Sequence, residues 1–412
     1  MVLAIAGGLA SGFREGKFKT MVTFGDSYTD ENRLSYFGSH NGSAPPVAWQ
    51  QPVGLATASG GLSWARYASI YSNTNLYNYA VSGAVCSNQI TPRLFSSINA
   101  PFPDIEGYEL PAFIADSKAT NPNGTKFFTG KESSTVYAIW IGTNDLGNGA
   151  FLTDSQVPGK TVADYIDCVY NQINRLYENG GRYFVIMNLA PLNLLPQYQQ
   201  SQNGGLQSTQ YFNDAPGKNL SEIHGRIQNT VAALNQVYKY RTPFDTETDD
   251  LWEDARVANF DVNTLMTDMY HNPANYLNGT GLPLNVEGVE HLCDANGKNC
   301  SSTESPDSFM WFDPLHPSEQ TSRVIAREFV NVLGGKTKPH DSDAPTPPLQ
   351  PTNPTPNPFQ HLTHLLKRNI TPHHAKRTHL PLQNRHNESQ VHQPFPLAPR
   401  HILTPNFTRR TT

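Results

Sequence analysis

The chain has 412 residues, 37% hydrophobic and 10% aromatic, enough for one large core or two ordinary ones, which excludes a wholly disordered protein. Only 16% of residues are charged, against roughly 25% in an average soluble domain, and the mean hydropathy of -0.49 comes from Asn, Ser, Thr, Gln, Tyr and Pro, a composition closer to secreted than to cytosolic proteins. The net charge of -5 gives no footprint for gripping nucleic acid, and the longest apolar run, Val2 to Ala10, is far short of the ~20 residues that span a bilayer, so neither a nucleic-acid partner nor a membrane span is expected.

Residues 1–18 read as a possible signal peptide or a truncated leader, with Val2 to Ala10 as its apolar centre and no basic residue ahead of it. The body, 19–335, alternates β-rich runs with amphipathic stretches, the pattern of a parallel sheet covered on both faces. Met21 to Phe24 is the first predicted strand, Leu76 to Val81 the second, and Thr135 to Ile141 the third, a nearly continuous apolar run. A helix follows from Thr161 to Glu178, with Tyr165, Cys168, Val169, Ile173 and Leu176 on one face and Gly180-Gly181 as its stop. Tyr183 to Met187 is the fourth strand, Ser221 to Tyr240 a long helix, Val257 to Val262 the fifth strand. The last helix starts at Pro317 or Ser318 and runs to Leu333. The stretches between Asp30 and Trp64 and between Ser87 and Lys131 read as long loops that shape a site. From Lys336 the composition changes: residues 336–412 hold 14 of 32 prolines, 9 of 14 histidines and a net charge of +7. This tail reads as disordered, and it leaves -12 on the body.

Cys293 and Cys300 flank a turn-forming Asn-Gly and are expected to form a disulfide, two free thiols or half of a metal site being the alternatives. Cys86 and Cys168 read as buried thiols or as a second bridge. Asn-X-Ser/Thr sequons at Asn41, Asn123, Asn219, Asn278 and Asn299 are candidate glycosylation sites, with three more in the tail at Asn369, Asn387 and Asn406. The composition and the close cysteine pair together suggest an extracellular protein.

Three polar groups fall at the carboxyl ends of predicted strands, where ligands bind in such sheets: Gly25-Asp-Ser27, Ser82-Gly83 and Gly142-Thr-Asn144. A serine hydroxyl needs a base, and the base needs an orienting acceptor. Asp313 and His316, three apart at a helix entrance between Pro314 and Pro317, can supply both. The other histidines of the body, His40, His224, His271 and His291, have no comparable context, although His271 or His291 could line a pocket. Of the tryptophans, Trp49, Trp64, Trp140 and Trp311 are divided between sugar contact and core, with core favoured.

Phe24-Gly-Asp-Ser-Tyr-Thr-Asp30, Gly83, Gly142-Thr-Asn-Asp145 and Asp313-Pro-Leu-His316 resemble, in order, the four signature blocks of the SGNH, or GDSL, hydrolase superfamily. Asn41-Gly-Ser-Ala-Pro-Pro46 and Asn272-Pro-Ala-Asn-Tyr276 are similar to segments of fungal acetyl esterases of carbohydrate esterase family 16. The resemblance implies a flavodoxin-like three-layer α/β/α sandwich with a five-stranded parallel sheet. It also implies a Ser27, His316, Asp313 triad and an oxyanion hole from the Ser27 and Gly83 N–H groups and the Asn144 amide. The expected activity is hydrolysis of carboxylic esters through an acyl-enzyme, on an acylated carbohydrate such as acetylated hemicellulose or another small ester. No metal or cofactor is expected, and a monomer is. The alternatives are a lipase or phospholipase-like acylhydrolase of longer chains, and a non-catalytic carbohydrate-binding protein on an esterase scaffold.

Overall fold

The computed structural model describes residues 12–206 and 208–336. The apolar run Val2 to Ala10, the tail beyond Lys336 and its three sequons lie outside the described residues. Five parallel strands form the central sheet: β1 (Thr20–Gly25), β2 (Asn75–Asn78), β3 (Thr135–Trp140), β4 (Tyr183–Met187) and β5 (Arg256–Phe260), in the order β2-β1-β3-β4-β5. Thr20 of β1 lies opposite Asn75 on one side and Thr135 on the other. Both β1 and β3 are buried along their whole length, which is why β3 reads as a nearly continuous apolar run.

Among the described residues the α-helices are α1 (Arg33–Ser39), α2 (Trp64–Ser72), α3 (Leu110–Lys118), α4 (Val162–Glu178), α5 (Leu220–Pro243), α6 (Val262–His271) and α7 (Glu319–Leu333). On one face α2 packs along α7, with the Trp64 ring 4.9 Å from Phe329 and 6.1 Å from Trp140 of β3. Thr321 of α7 in turn contacts Met269 of α6. On the other face Phe113 of α3 meets Phe24 and Tyr137 at 5.9 and 5.5 Å, and the buried hydroxyls of Tyr165 and Tyr238 join α4 to α5 at 2.8 Å. This is the expected three-layer sandwich.

The helix starts follow their capping chemistry. Thr161 and Asp164 form a capping box before α4, and the Ser318 hydroxyl accepts the Thr321 N–H to open α7. Asp261 accepts the Thr264 N–H, so β5 ends at Phe260 and Val262 opens α6 rather than closing the strand. The second strand stops at Asn78, before the expected Val81, because the Asn78 side chain donates to the Thr29 carbonyl and accepts the Ala80 N–H. The stretches expected to be loops contain α1 and α3. Within the stretch expected as leader, Phe13 and Phe18 are buried, with rings 6.0 and 5.4 Å from Tyr183. Trp64, Trp140 and Trp311 are core residues with their indole N–H groups hydrogen-bonded. Trp49 alone of the four is half-buried, near the Arg33 guanidinium.

All four cysteines are oxidised, as Cys86–Cys168 and Cys293–Cys300. The local bridge spans the expected turn, with Gly297 at φ +69°, and both sulfurs beside His291 are thereby withdrawn from metal ligation. The five sequon asparagines of the body are all exposed. The long bridge joins residues 82 apart and the short one residues 7 apart, for which loop-closure entropy gives about 4.5 and about 2 kcal/mol. Replacing Cys86 and Cys168 by Ser should therefore lower the Tm by about 10 °C, and replacing Cys293 and Cys300 by about half that. Differential scanning calorimetry of the two double variants checks the order.

Candidate active site

Ser27 sits in a tight turn at the end of β1. The Thr29 and Asp30 N–H groups both donate to the Asp26 carbonyl at 2.9 and 3.0 Å, and the Tyr28 N–H to the Asp26 carboxylate at 3.0 Å, which leaves the Ser27 hydroxyl pointing out of the turn. Its Oγ lies 2.8 Å from His316 Nε2. Behind the imidazole, Nδ1 is 2.8 and 2.9 Å from the two oxygens of Asp313. Facing a carboxylate, Nδ1 carries the proton, so Nε2 is left to accept from the serine.

The Asp313 to His316 spacing works because the turn closes on the carboxylate itself. Asp313 Oδ1 accepts the backbone N–H groups of Leu315 and His316 at 2.9 and 2.8 Å, which swings the imidazole back over its acceptor. The other oxygen accepts the Tyr211 hydroxyl at 2.7 Å. Tyr211 and Tyr28 also wall the ring, with centroids 5.3 and 5.8 Å from it. Burial alone would raise the pKa of Asp313, but the His316 charge and these hydrogen bonds outweigh it and hold the carboxyl below its usual value.

Gly83 follows β2 and Asn144 follows β3. Gly83 has φ +86°, and a Cβ there would come within 2.5 Å of the Phe102 ring, so the position excludes other residues for packing as well as for backbone reasons. Neither the Ser27 nor the Gly83 N–H has an acceptor among the described residues. The Asn144 amide nitrogen donates to Ala84 O at 2.8 Å, tying block-three residue to block-two loop, and the Ser82 N–H and hydroxyl both donate to Asp30 in the nucleophile turn at 2.9 and 2.8 Å. The structure thus brings Ser27, Gly83, Asn144, Asp313 and His316 to one end of the sheet. The other histidines among the described residues are engaged elsewhere: His40 stacks on Tyr36, His224 contacts the Tyr198 carbonyl, His291 stacks on Phe312, and His271 is exposed beside Tyr270.

Sequence reasoning missed two participants, Tyr211 and Arg93, and gave Asp145 no role. Arg93 Nη1 donates to Asn144 Oδ1 and to Gly83 O at 2.5 and 2.8 Å. Asp145 is fully buried; its Oδ1 accepts the Cys86 N–H and the Thr91 hydroxyl at 3.0 and 3.1 Å, while its Oδ2 has no partner among the described residues. Burial pushes its pKa up to about 7 and that of Asp26 up to about 6.

Two outcomes follow from these contacts. Tyr211→Phe removes one donor from a charged acceptor, worth about 1.5 kcal/mol, so kcat should fall about tenfold with little change in KM in steady-state assays. For Asp145 the folded pKa lies above the unfolded one, so between about pH 4 and pH 7 the unfolded chain releases a proton that the folded chain keeps. Stability then falls as pH rises through that window. The Tm of the wild type should decline more steeply from pH 4 to pH 8 than that of Asp145→Asn, and parallel curves would contradict this reading.

Comparison with known proteins places the chain. Residues 21–329 match the family model "GDSL-like Lipase/Acylhydrolase". An acetylesterase from Hypocrea jecorina is 40% identical over 78% of this chain and 90% of its own length, and one from Thermothelomyces thermophilus is 22% identical over 77% and 89%. Among solved structures, an active-site mutant of a family two carbohydrate esterase from Clostridium thermocellum aligns with 78% of this chain and 64% of its own, at 13% identity and a TM-score of 0.32. With its signature blocks gathered at one sheet edge and a relative this similar along most of its length, the chain belongs to the GDSL lipase/acylhydrolase family and is a carboxylic ester hydrolase.

Proposed function

We propose that the protein is an extracellular acetylesterase, acting as a monomer to remove acetyl groups from plant-wall oligosaccharides such as those of hemicellulose. The observation that carries the chemistry is the hydrogen-bonded line from Ser27 Oγ through His316 to Asp313. In this reading His316 takes the serine proton as Oγ attacks the acyl carbonyl, and gives it to the departing sugar alcohol. Water, deprotonated by the same nitrogen, then cleaves the acyl-enzyme and frees the acid. The carbonyl oxygen gains negative charge in both steps, and the Ser27 N–H, the Gly83 N–H and the Asn144 amide are the donors for it. Asp313 stays ionised throughout and holds the imidazolium.

The acetyl preference rests on the 40% identity to the Hypocrea jecorina acetylesterase. The extracellular assignment is supported by the complete oxidation of the cysteines, since disulfides persist in oxidising compartments, and the exposed sequons of the body are compatible with glycosylation.

Hydrolysis of p-nitrophenyl acetate and p-nitrophenyl palmitate, with Ser27→Ala as control, tests the proposal. We expect kcat/KM to favour the acetate and Ser27→Ala to lose about 10⁴-fold or more. Preference for palmitate would make the protein a longer-chain lipase, and failure of a fluorophosphonate to label Ser27 would make it a carbohydrate binder. Release of acetate from acetylated xylo-oligosaccharides then tests the sugar.

A further inference from the structure

The triad leaves one question of orientation open. Asn144 can present either face of its amide to the substrate, and only the nitrogen face can stabilise an oxyanion. Nothing in the triad decides which is presented.

Arg93 decides it. Its guanidinium has donors and no acceptor, so the Asn144 atom 2.5 Å from Nη1 must be the amide oxygen. The amide nitrogen is then turned away from Arg93, and one of its two hydrogens goes to Ala84 O at 2.8 Å. The second hydrogen has no acceptor among the described residues and is free for the ester. The same Nη1 also holds Gly83 O at 2.8 Å, so two consecutive carbonyls of the loop, Gly83 and Ala84, are pinned by Arg93 and by Asn144 in a closed ring.

Arg93 is itself fixed. Its backbone N–H donates to Asn88 Oδ1 at 3.1 Å, its carbonyl accepts the Phe102 N–H at 2.9 Å, and its guanidinium carbon stands 5.1 Å from the Phe102 ring. That ring also packs on Gly83, so one short hairpin supplies both the cation and the wall of the oxyanion loop.

We propose that Arg93 is a positioning residue for ester hydrolysis: it locks the Asn144 amide with its N–H toward the substrate and fixes the Gly83–Ala84 turn beside it. It acts chiefly through Asn144, whose own bond to Ala84 O ties that turn to the amide, and need not touch the ester. A cation behind the amide oxygen also polarises the N–H on the other side. The proposal rests on the esterase reading of the site, and its test separates the two.

The experiment compares Arg93→Met, Arg93→Lys, Asn144→Ala and the Arg93→Met/Asn144→Ala double variant with the wild type, all on whichever p-nitrophenyl ester the wild type turns over fastest. Loss of one oxyanion donor costs about 100-fold or more, so Asn144→Ala should lose that much in kcat. Arg93→Met should lose about 10- to 100-fold with KM unchanged. Because Arg93 acts mainly through Asn144, the double variant should be at most about twofold slower than Asn144→Ala alone. Arg93→Lys keeps the charge but not the planar fork, and should fall between wild type and Arg93→Met; it carries the same comparison if Arg93→Met gives no cooperative melt. A kcat for Arg93→Met within twofold of wild type, or losses that multiply in the double variant, would overturn the proposal. A wild type that prefers palmitate would overturn only the acetyl assignment, whereas one inert to every ester and to a fluorophosphonate would overturn both.

Discussion

The parallel pairing of β1 with β3 is the constraint on which the rest of the site depends. With Gly25 opposite Trp140, the turn carrying Ser27 and the turn carrying Asn144 leave the sheet side by side. β2 lies on the far side of β1, so the winding of the chain reverses between β1 and β3 and opens a crevice at their carboxyl ends. Gly83, arriving from β2, enters that crevice from the opposite edge. A shift of one residue in this register would turn every side chain of β1 to the other face and separate nucleophile from amide.

Buried carboxylates, rather than regular structure, hold the loops that make the crevice. Glu109 of the segment before α3 accepts the N–H groups of Gly25 and Val81. Asp30 gathers Ser82 and Arg33, Asp145 gathers Cys86 and Thr91, and Asp26 holds Tyr28. Burial raises the pKa of all four. Asp313 is as deeply buried and uses the same kind of backbone bonds, yet its pKa is lowered, because the imidazole stands beside it. One device thus serves two ends: four of these carboxylates clamp loops through backbone and hydroxyl donors, and Asp313, beside the imidazole, orients the base.

What the sequence made legible was local. The fourth strand could be read to the residue, and the starts of α4 and α7 to within a residue or two of Thr161 and Ser318, because strand propensity and helix-start signals act within a few positions. The triad could be read because Asp313 and His316 belong to one turn and Ser27 ends a strand. Cys293–Cys300 was legible through its intervening Asn-Gly. Cys86–Cys168 was left open between thiols and bridge, since only the docking of α4 against the β2 loop brings them together. Tyr211 and Arg93 reach the site from irregular segments, 102 residues from Asp313 and 51 from Asn144, and no spacing rule connects such pairs. The helices α1 and α3 lay in stretches rich in polar and turn residues, where short amphipathic segments give little periodic signal.

The nucleophile and its base are 289 residues apart, with Ser27 in the turn after β1 and His316 just before α7. During synthesis the ribosome delivers the serine, the oxyanion loop and the amide long before the imidazole. The nascent chain can therefore fold most of its sheet while chemically silent, and hydrolytic power arrives in one late step, when the Asp313 turn docks on β1. A chain cut anywhere ahead of that turn carries a serine and no base to activate it.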